Sequence, residues 1–190
     1  MARKPETTWE MLNVAMAYYK DYIGKKDDRC SVSVIDLLYV SNFKGGNASI
    51  TEPIESLKEK LKYYEYQLKA IDKLFKEKVL SSISDVEKEI LIDLCTGFLY
   101  LTEKEDSSIR GLGPSYASAL LAAHFIELIP VLDRRALNGA GIDVEKDKQG
   151  AVKKISSHYA SLINSFVEEL RRAPGMKLRE LDKKWFIKEL

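Results

Sequence analysis

Apolar residues recur at intervals of three and four positions along most of this chain, which is the spacing of an amphipathic α-helix. The apolar stripes cover residues 9–23, 34–40, 54–75, 86–99, 155–170 and 178–186. No stretch alternates with the period of two that a half-buried strand requires, and no segment repeats. Gly- and Pro-marked loops separate the stripes. The pattern therefore predicts an all-α fold of several packed helices.

Small polar residues precede the stripes and predict where the helices begin. The expected N-caps are Thr7 or Thr8, Ser31 or Ser33, Thr51, Ser82 or Ser84, and Asp133. Gly24 and the pair Pro174–Gly175 predict helix ends, because neither residue type continues a helix well. A long helix is expected over residues 152–172, and a final helix from Lys177 onward.

The length of 190 residues suits one domain, so we expect a single helical domain over residues 1–190. Lys and Arg number 30 against 29 Asp and Glu, which gives a net charge of +1. This balance argues against a strongly basic, non-specific nucleic-acid binder, because such proteins carry a clear cationic excess. Any contact with DNA must come from a local patch.

Potential metal ligands and targeting signals are sparse. The two cysteines, Cys30 and Cys95, and the two histidines, His124 and His158, show no metal-ligand spacing. Free thiols in a reducing compartment are the expected state of the cysteines. No apolar run approaches about 18 residues, and no signal peptide is evident. We therefore expect a soluble cytoplasmic protein with no metal, no cofactor and no membrane partner.

The stretch IRGLGPSYASALLAAHFIELIPVLD, residues 109–133, carries the candidate chemistry. Gly111 and Gly113 flank Leu112, so backbone amides there can approach an anion without obstruction from a Cβ atom. Pro114 suits the first turn of the helix that follows. Such a turn can grip a phosphate without reading sequence, or it can serve only as a tight helix–helix connection. Asp133 is a candidate N-cap and a candidate functional carboxylate.

The segments GLGPSYA and IPVLD resemble the helix-hairpin-helix signature of the DNA glycosylase superfamily, which includes endonuclease III and the adenine-mismatch glycosylases. In that signature an essential Asp follows the hairpin, and Asp133 stands at its position, 18 residues after Ser115. Ser115 stands where bifunctional members carry a Schiff-base Lys. The resemblance implies a two-lobed helical domain with a central helix-hairpin-helix segment at about 95–128.

The resemblance also implies a function. It implies a protein that binds double-stranded DNA, with Asp133 as the catalytic carboxylate of a monofunctional base-excising N-glycosylase. The DNA-binding residues would be Arg110, Gly111, Leu112, Gly113, Ser115, Arg134 and Arg135. The four-Cys cluster loop of many members is absent from the sequence. A looser likeness, through NFKGGN, IPVLDRRAL and LRELDKKW, is to small uncharacterised bacterial proteins that carry the same hairpin.

Several alternatives stay open at this level. A module could keep the fold and bind DNA without chemistry, or the chain could be a helical interaction protein with no nucleic-acid role. Arg134 and Arg135 could meet phosphates or pair with Glu127 and its neighbours. A base-removing site also needs a proton donor, and His124, Tyr116 or a carboxylate on the early helices could serve.

Overall fold

The computed structural model describes residues 5–46 and 49–188, and this part of the chain is helical without a named strand. Eight α-helices occur within it: α1 Pro5–Gly24, α2 Val34–Phe43, α3 Ile54–Phe75, α4 Asp85–Tyr100, α5 Pro114–His124, α6 Arg134–Gly139, α7 Tyr159–Arg172 and α8 Leu178–Lys188. Two short 3₁₀ segments, Leu80–Ser82 and Ile155–His158, precede α4 and α7. The predicted all-α fold is confirmed.

Three predicted N-caps are confirmed. Ser33 and Ser84 each form a capping box, with Asp36 and Glu87 at the third helical position. Asp133 caps α6. The helix that starts at Pro114 is also present. These helix starts are set by side chains next to them in sequence, which is why the sequence reveals them.

Three predicted starts are wrong. Thr7 and Thr8 lie inside α1, which is described from Pro5 onward. Pro53 rather than Thr51 is the N-cap of α3. The helix predicted from residue 152 begins as an α-helix at Tyr159, because Val152 is paired with Lys146 in an antiparallel bridge and Ile155–His158 form a 3₁₀ segment.

Helix α5 lies at the centre of the fold. Its residues from Ala117 to Ala123 are all buried, and it packs against α1, α2 and α4. Small side chains allow this close approach of neighbouring helices. Buried apolar residues of all eight helices join in one continuous cluster. No helix in the described ranges is long and apolar enough to cross a membrane.

Helix α8 lies directly against α6. A Cβ atom built at Gly139 would lie 2.4 Å from Trp185 Cβ and 2.7 Å from Trp185 Cα, so only glycine fits there without a shift. Trp185 also packs on Phe166 of α7, with ring centroids 4.3 Å apart. This packing brings the inner face of α8 beside the residues that follow Asp133.

Candidate functional site

Asp133 uses its two carboxylate oxygens differently. Its Oδ1 atom accepts the backbone N–H of Ala136 at 2.9 Å, which is the N-cap contact of α6. Its Oδ2 atom lies 3.3 Å from Lys44 Nζ. Lys44 comes from the end of α2, 89 positions earlier in the chain. The carboxylate is therefore held by a local backbone contact and by a distant cation.

A serine of α5 positions the segment that ends at Asp133. The Leu132 amide donates to Ser118 Oγ at 2.8 Å, and Ser118 Oγ donates to the Ser115 carbonyl at 2.8 Å. Ser118 is in the second turn of α5, so about one helical turn, roughly 5 Å along the axis, separates this contact from the start of the helix. The hairpin and Asp133 are thus linked through the first turns of α5.

Asp133 lines a cavity of about 470 Å³ that lies between α1, α6, α8 and the end of α2. The described residues that line it include three aromatic side chains, four cations and two carboxylates. They are Trp9, Phe43 and Phe186, then Lys44, Arg134, Arg135 and Arg179, and finally Asp133 and Asp182. The combination of apolar surface with convergent charged groups is typical of a ligand site.

Two of the guanidinium groups stack on aromatic rings. The Arg179 guanidinium lies 4.4 Å from the centre of the Trp9 ring, and that of Arg135 lies 4.3 Å from the centre of the Phe186 ring. Stacking of this kind holds a cation in place while it stays charged. Arg134 donates to the Gly150 carbonyl at 3.3 Å. The cavity walls therefore carry fixed positive charge.

Asp182 is the second carboxylate of the cavity. It is buried at 4% exposure and is ion-paired with Arg179. Burial is the largest cause that raises the pKa of Asp182; the charges of Arg179 and Lys44 lower it and that of Asp133 raises it, and the net result is a pKa of about 6. Two carboxylates with different environments thus share one cavity.

The glycine turn predicted before α5 is present at residues 109–113, and it is packed against residues 49–52. Gly111 has a φ of +94°, and a Cβ atom there would lie 2.2 Å from the Ser49 carbonyl oxygen. Glycine is therefore required at 111 both for its backbone conformation and for space. Leu112 is buried, and its amide donates to the Ile109 carbonyl at 3.0 Å.

An internal carboxylate binds this hairpin. The Arg110 amide donates to Glu52 Oε2 at 3.2 Å, and the Arg110 side chain, which is 75% exposed, lies 4.0 Å from the same oxygen. Contacts with Lys60, Ser56 and the Arg110 amide lower the pKa of Glu52 to about 2. Glu52 thus already accepts one of the backbone N–H groups, that of Arg110, that a bound anion could otherwise use.

The structure divides the predicted site residues into two groups. Asp133, Arg134 and Arg135 line the cavity, whereas none of residues 110–115 is among its described lining residues. Gly113 and Ser115 are half-buried at the start of α5. The roles of all these residues in DNA binding stay predictions.

His124 and Tyr116 do not line the cavity either. His124 Nδ1 lies 2.9 Å from the Leu120 carbonyl oxygen and Nε2 lies 3.0 Å from that of Arg29. Burial lowers the pKa of His124 to about 4. His124 is therefore enclosed by backbone, and Asp182 is better placed to exchange a proton beside Asp133.

The sequence did not single out several of the cavity residues. Lys44 stands in the sequence only within the segment NFKGGN, and Arg179 and Asp182 only within LRELDKKW. The sequence does contain a pattern that indicates Arg179 and Asp182. Their spacing of three places them on one helix face, beside Leu178 and Leu181, which are buried.

Comparisons with protein-family models, with curated proteins and with solved structures find no match for this chain. Among the described residues, no group of three or more His, Cys, Asp or Glu side chains is arranged to hold a metal ion. Both cysteines are buried and free. The interpretation of the site therefore depends on the geometry of the cavity.

Proposed function

We propose that this protein binds double-stranded DNA through a helix-hairpin-helix glycosylase type of fold and removes a base with Asp133. The observation that carries the proposal is the position of Asp133, half-buried at the start of α6 and lining a cavity of about 470 Å³ with aromatic and cationic walls. A flipped nucleotide presents a flat ring and a phosphate, and both parts find complementary groups in such a site.

The charge of the cavity supports an anionic ligand. Lys44, Arg134, Arg135 and Arg179 oppose Asp133 and Asp182, so the described lining carries four cations and two carboxylates. The whole chain has a net charge of only +1, so this cavity is a local positive site. Local positive charge in a concave site attracts phosphate groups.

The chemistry assigned to Asp133 is electrostatic. Breaking the bond between a base and deoxyribose develops positive charge on the sugar, as in glycoside hydrolysis. An ionised Asp133 stabilises that charge, and water completes the displacement. The N-cap contact with Ala136 fixes the carboxylate before substrate arrives.

The departing base requires a proton, and in this proposal Asp182 supplies it. Asp182 lines the same cavity as Asp133, and its pKa of about 6 lies nearer to neutrality than that of an ordinary carboxyl group. A group whose pKa lies near the working pH is an efficient proton donor. The two carboxylates would then have separate roles, set by their different environments.

Base release from short duplexes tests the proposal. Each duplex carries one damaged or mismatched base, and alkali converts every abasic site into a strand break that a gel detects. We expect release from at least one duplex of a broad panel and its loss in Asp133→Asn. Asn is also a good N-cap, so the variant should keep α6. Asp143→Asn, at an exposed carboxylate outside the cavity, is the matched control.

One observation favours a second function, DNA binding without chemistry. Lys44 neutralises Asp133 at 3.3 Å, and a carboxylate paired in this way can be purely structural. This alternative predicts salt-sensitive binding of duplex that survives Asp133→Asn, with no base released from any member of the panel.

A further inference from the structure

Helices α1 and α2 expose a set of apolar side chains that the cavity does not use. Six of the fourteen large apolar residues that are exposed in the described part of the chain belong to these two helices, which are 20 and 10 residues long. Each of the six is between 40% and 62% exposed. They are Met11, Val14 and Tyr18 of α1 and Val34, Ile35 and Leu38 of α2, and together we call them the α1/α2 face.

The α1/α2 face is one continuous surface. Helix α1 packs against α2, and the rings of Tyr22 and Tyr39 stack between the two helices with centroids 5.0 Å apart. The three exposed apolar residues of α1 line a groove of about 340 Å³ together with Asn42 of α2. Asn42 is four positions after Leu38 and seven after Ile35, so these residues share one side of α2. The face therefore extends across both helices.

The α1/α2 face carries no charge, although 31% of the residues of this chain are charged. The one charged residue of α2 is Asp36, which is fully buried. The described residues that line the groove are all uncharged. Asp21, three positions after Tyr18, pairs with Lys25 at 2.6 Å beside the face. A centre that is rich in Met, aromatic and aliphatic side chains and has a polar border is typical of a protein interface.

The face adjoins the Asp133 cavity but differs from it in chemistry. Thr8, Leu12 and Gly45 line both the cavity and the groove. The cavity lining includes four cations, whereas the described lining of the groove includes none. Phosphate groups of DNA are bound by cations, so DNA at the cavity does not need the α1/α2 face. The chemistry of the face fits another apolar protein surface.

The size of the face suits a contact between two copies of this chain. A large apolar or aromatic side chain has on the order of 200 Å² of surface, and about half is exposed at each of the six positions. The face thus offers roughly 600 Å², as much as the largest apolar patch on a typical monomer. Two copies would bury roughly 1,200 Å², which reaches the range of specific interfaces, about 1,200–2,000 Å².

From these observations we propose that the α1/α2 face is the interface of a homodimer, in which it pairs with the same face of a second copy. Two uncharged faces meet without bringing like charges together, so the face is complementary to itself. Two-fold dimers are the commonest protein oligomers, and they pair one surface with itself. Pairing removes from water the apolar side chains that a single copy exposes. The inference does not depend on base removal at Asp133.

Sedimentation equilibrium of the 190-residue chain tests the proposal. We expect a mass that rises toward twice that of one chain across the micromolar concentration range. High salt should not weaken the association, because salt screens charges and this face has none. Tyr18→Glu and Leu38→Glu should each weaken it at least about 10-fold, because each places a charge in the buried centre. Tyr66→Glu, at an exposed tyrosine of α3, is the matched control and should leave the mass unchanged.

Thiol labelling locates the interface without adding a charge. Leu38→Cys should react with a maleimide several-fold more slowly at concentrations where the dimer predominates than in dilute solution. Tyr66→Cys should react equally fast at both concentrations. Cys30 and Cys95 are buried, so the new thiol is the accessible target in each variant.

Each result supports or overturns the dimer. A chain that stays monomeric at all concentrations would overturn it, as would a dimer that both Glu variants leave intact. Leu38→Cys that is labelled equally fast in the dimer would place the interface elsewhere. Protection of Leu38→Cys only when duplex DNA is added would show that DNA, not a second copy, covers this face. Base release by a monomer would leave the glycosylase proposal standing, and a dimer without base release would leave this one standing.

Discussion

Ser118 Oγ accepts the backbone N–H of Leu132 at 2.8 Å, and this contact joins the central helix α5 to the residue before Asp133. Ser118 is fully buried, and its hydroxyl also donates to the Ser115 carbonyl. One side chain thus fixes the distance between the start of α5 and the cavity. The position of Asp133 depends on this contact as well as on its own N-cap bond.

Replacing Ser118 with Ala should therefore destabilise the protein. The Leu132 amide would lose its partner in a buried place, and an unsatisfied buried donor costs about 1–3 kcal/mol. Urea unfolding of Ser118→Ala measures the loss. Ser157→Ala is the control, because Ser157 is exposed and should change the free energy of unfolding by less than about 0.5 kcal/mol. Equal effects of the two substitutions would show that the Ser118 contact is not structural.

Gly139→Ala should also destabilise the fold. The added Cβ atom would lie 2.4 Å from Trp185 Cβ, so α8 must move away from α6. Overpacking of this kind costs about 1–3 kcal/mol. Thermal unfolding of the variant gives the size of the effect.

Gly97→Ala in α4 is the matched control for Gly139→Ala. Apart from the backbone of its own helix and its chain neighbours, no atom would lie within 4 Å of the new Cβ at position 97, and Ala in a helix interior is about 1 kcal/mol more favourable than Gly. We expect this variant to unfold at a higher temperature than the wild type. If both glycine variants shift in the same direction, the close contact between α6 and α8 is contradicted.

The buried carboxyl of Asp182 should make stability depend on pH. Its pKa is about 6 in the folded protein against an ordinary value of 3.8, because burial disfavours the charge. Between these values the folded protein holds a proton that the unfolded chain releases. The contribution of Asp182 to the free energy of unfolding is therefore fully present below about pH 3.8 and is lost as the pH rises through about 6.

Comparison with Asp182→Asn isolates this contribution, because the other titrating groups are common to both proteins. The difference in free energy of unfolding, wild type minus variant, should fall by on the order of 2–3 kcal/mol between pH 3.8 and pH 6 and then level off. Urea titrations at half-unit intervals would measure it. A difference that stays constant across this range would rule out the raised pKa.

Cations of the cavity should control the salt dependence of DNA binding. If Arg134 meets a phosphate, Arg134→Gln should weaken binding similarly for all sequences and reduce the slope of log K against log salt by about 1. Fluorescence anisotropy with a labelled duplex at several salt concentrations measures both effects. Arg172→Gln should leave the slope unchanged, because Arg172 is an exposed residue of α7 that pairs with Glu168 and Glu169. A reduced slope in both variants would indicate only a general effect of net charge.

Local patterns in the sequence were sufficient for much of the fold. Ser33, Ser84 and Asp133 cap helices through contacts within three residues, so the sequence alone reveals them. The start of α7 was missed because the Lys146–Val152 bridge competes with helix formation there. Such a bridge depends on where the loop folds back, which the helical period of the neighbouring residues does not encode.

The composition of the cavity was harder to predict from the sequence, because its side chains come from distant parts of the chain. Asp133 could be singled out from IPVLD, but its partner Lys44 is 89 positions away. Asp182 reaches the cavity because α8 packs against α6, where Trp185 contacts Gly139. Glu52, which binds the Arg110 amide, lies 58 positions before it. Contacts between residues so far apart in the chain are set by the packing of α2, α3 and α8, and no local sequence motif predicts them.

The rate of base release by Asp133→Asn, relative to the wild type under single-turnover conditions, is the most direct test of the site. Duplex affinity should be measured in parallel, so that binding and chemistry are separated. We predict that the variant binds the lesion duplex as well as the wild type and releases the base at least about 100-fold more slowly, as expected when a group that stabilises transition-state charge is removed. Equal rates for the two proteins would contradict the role of Asp133.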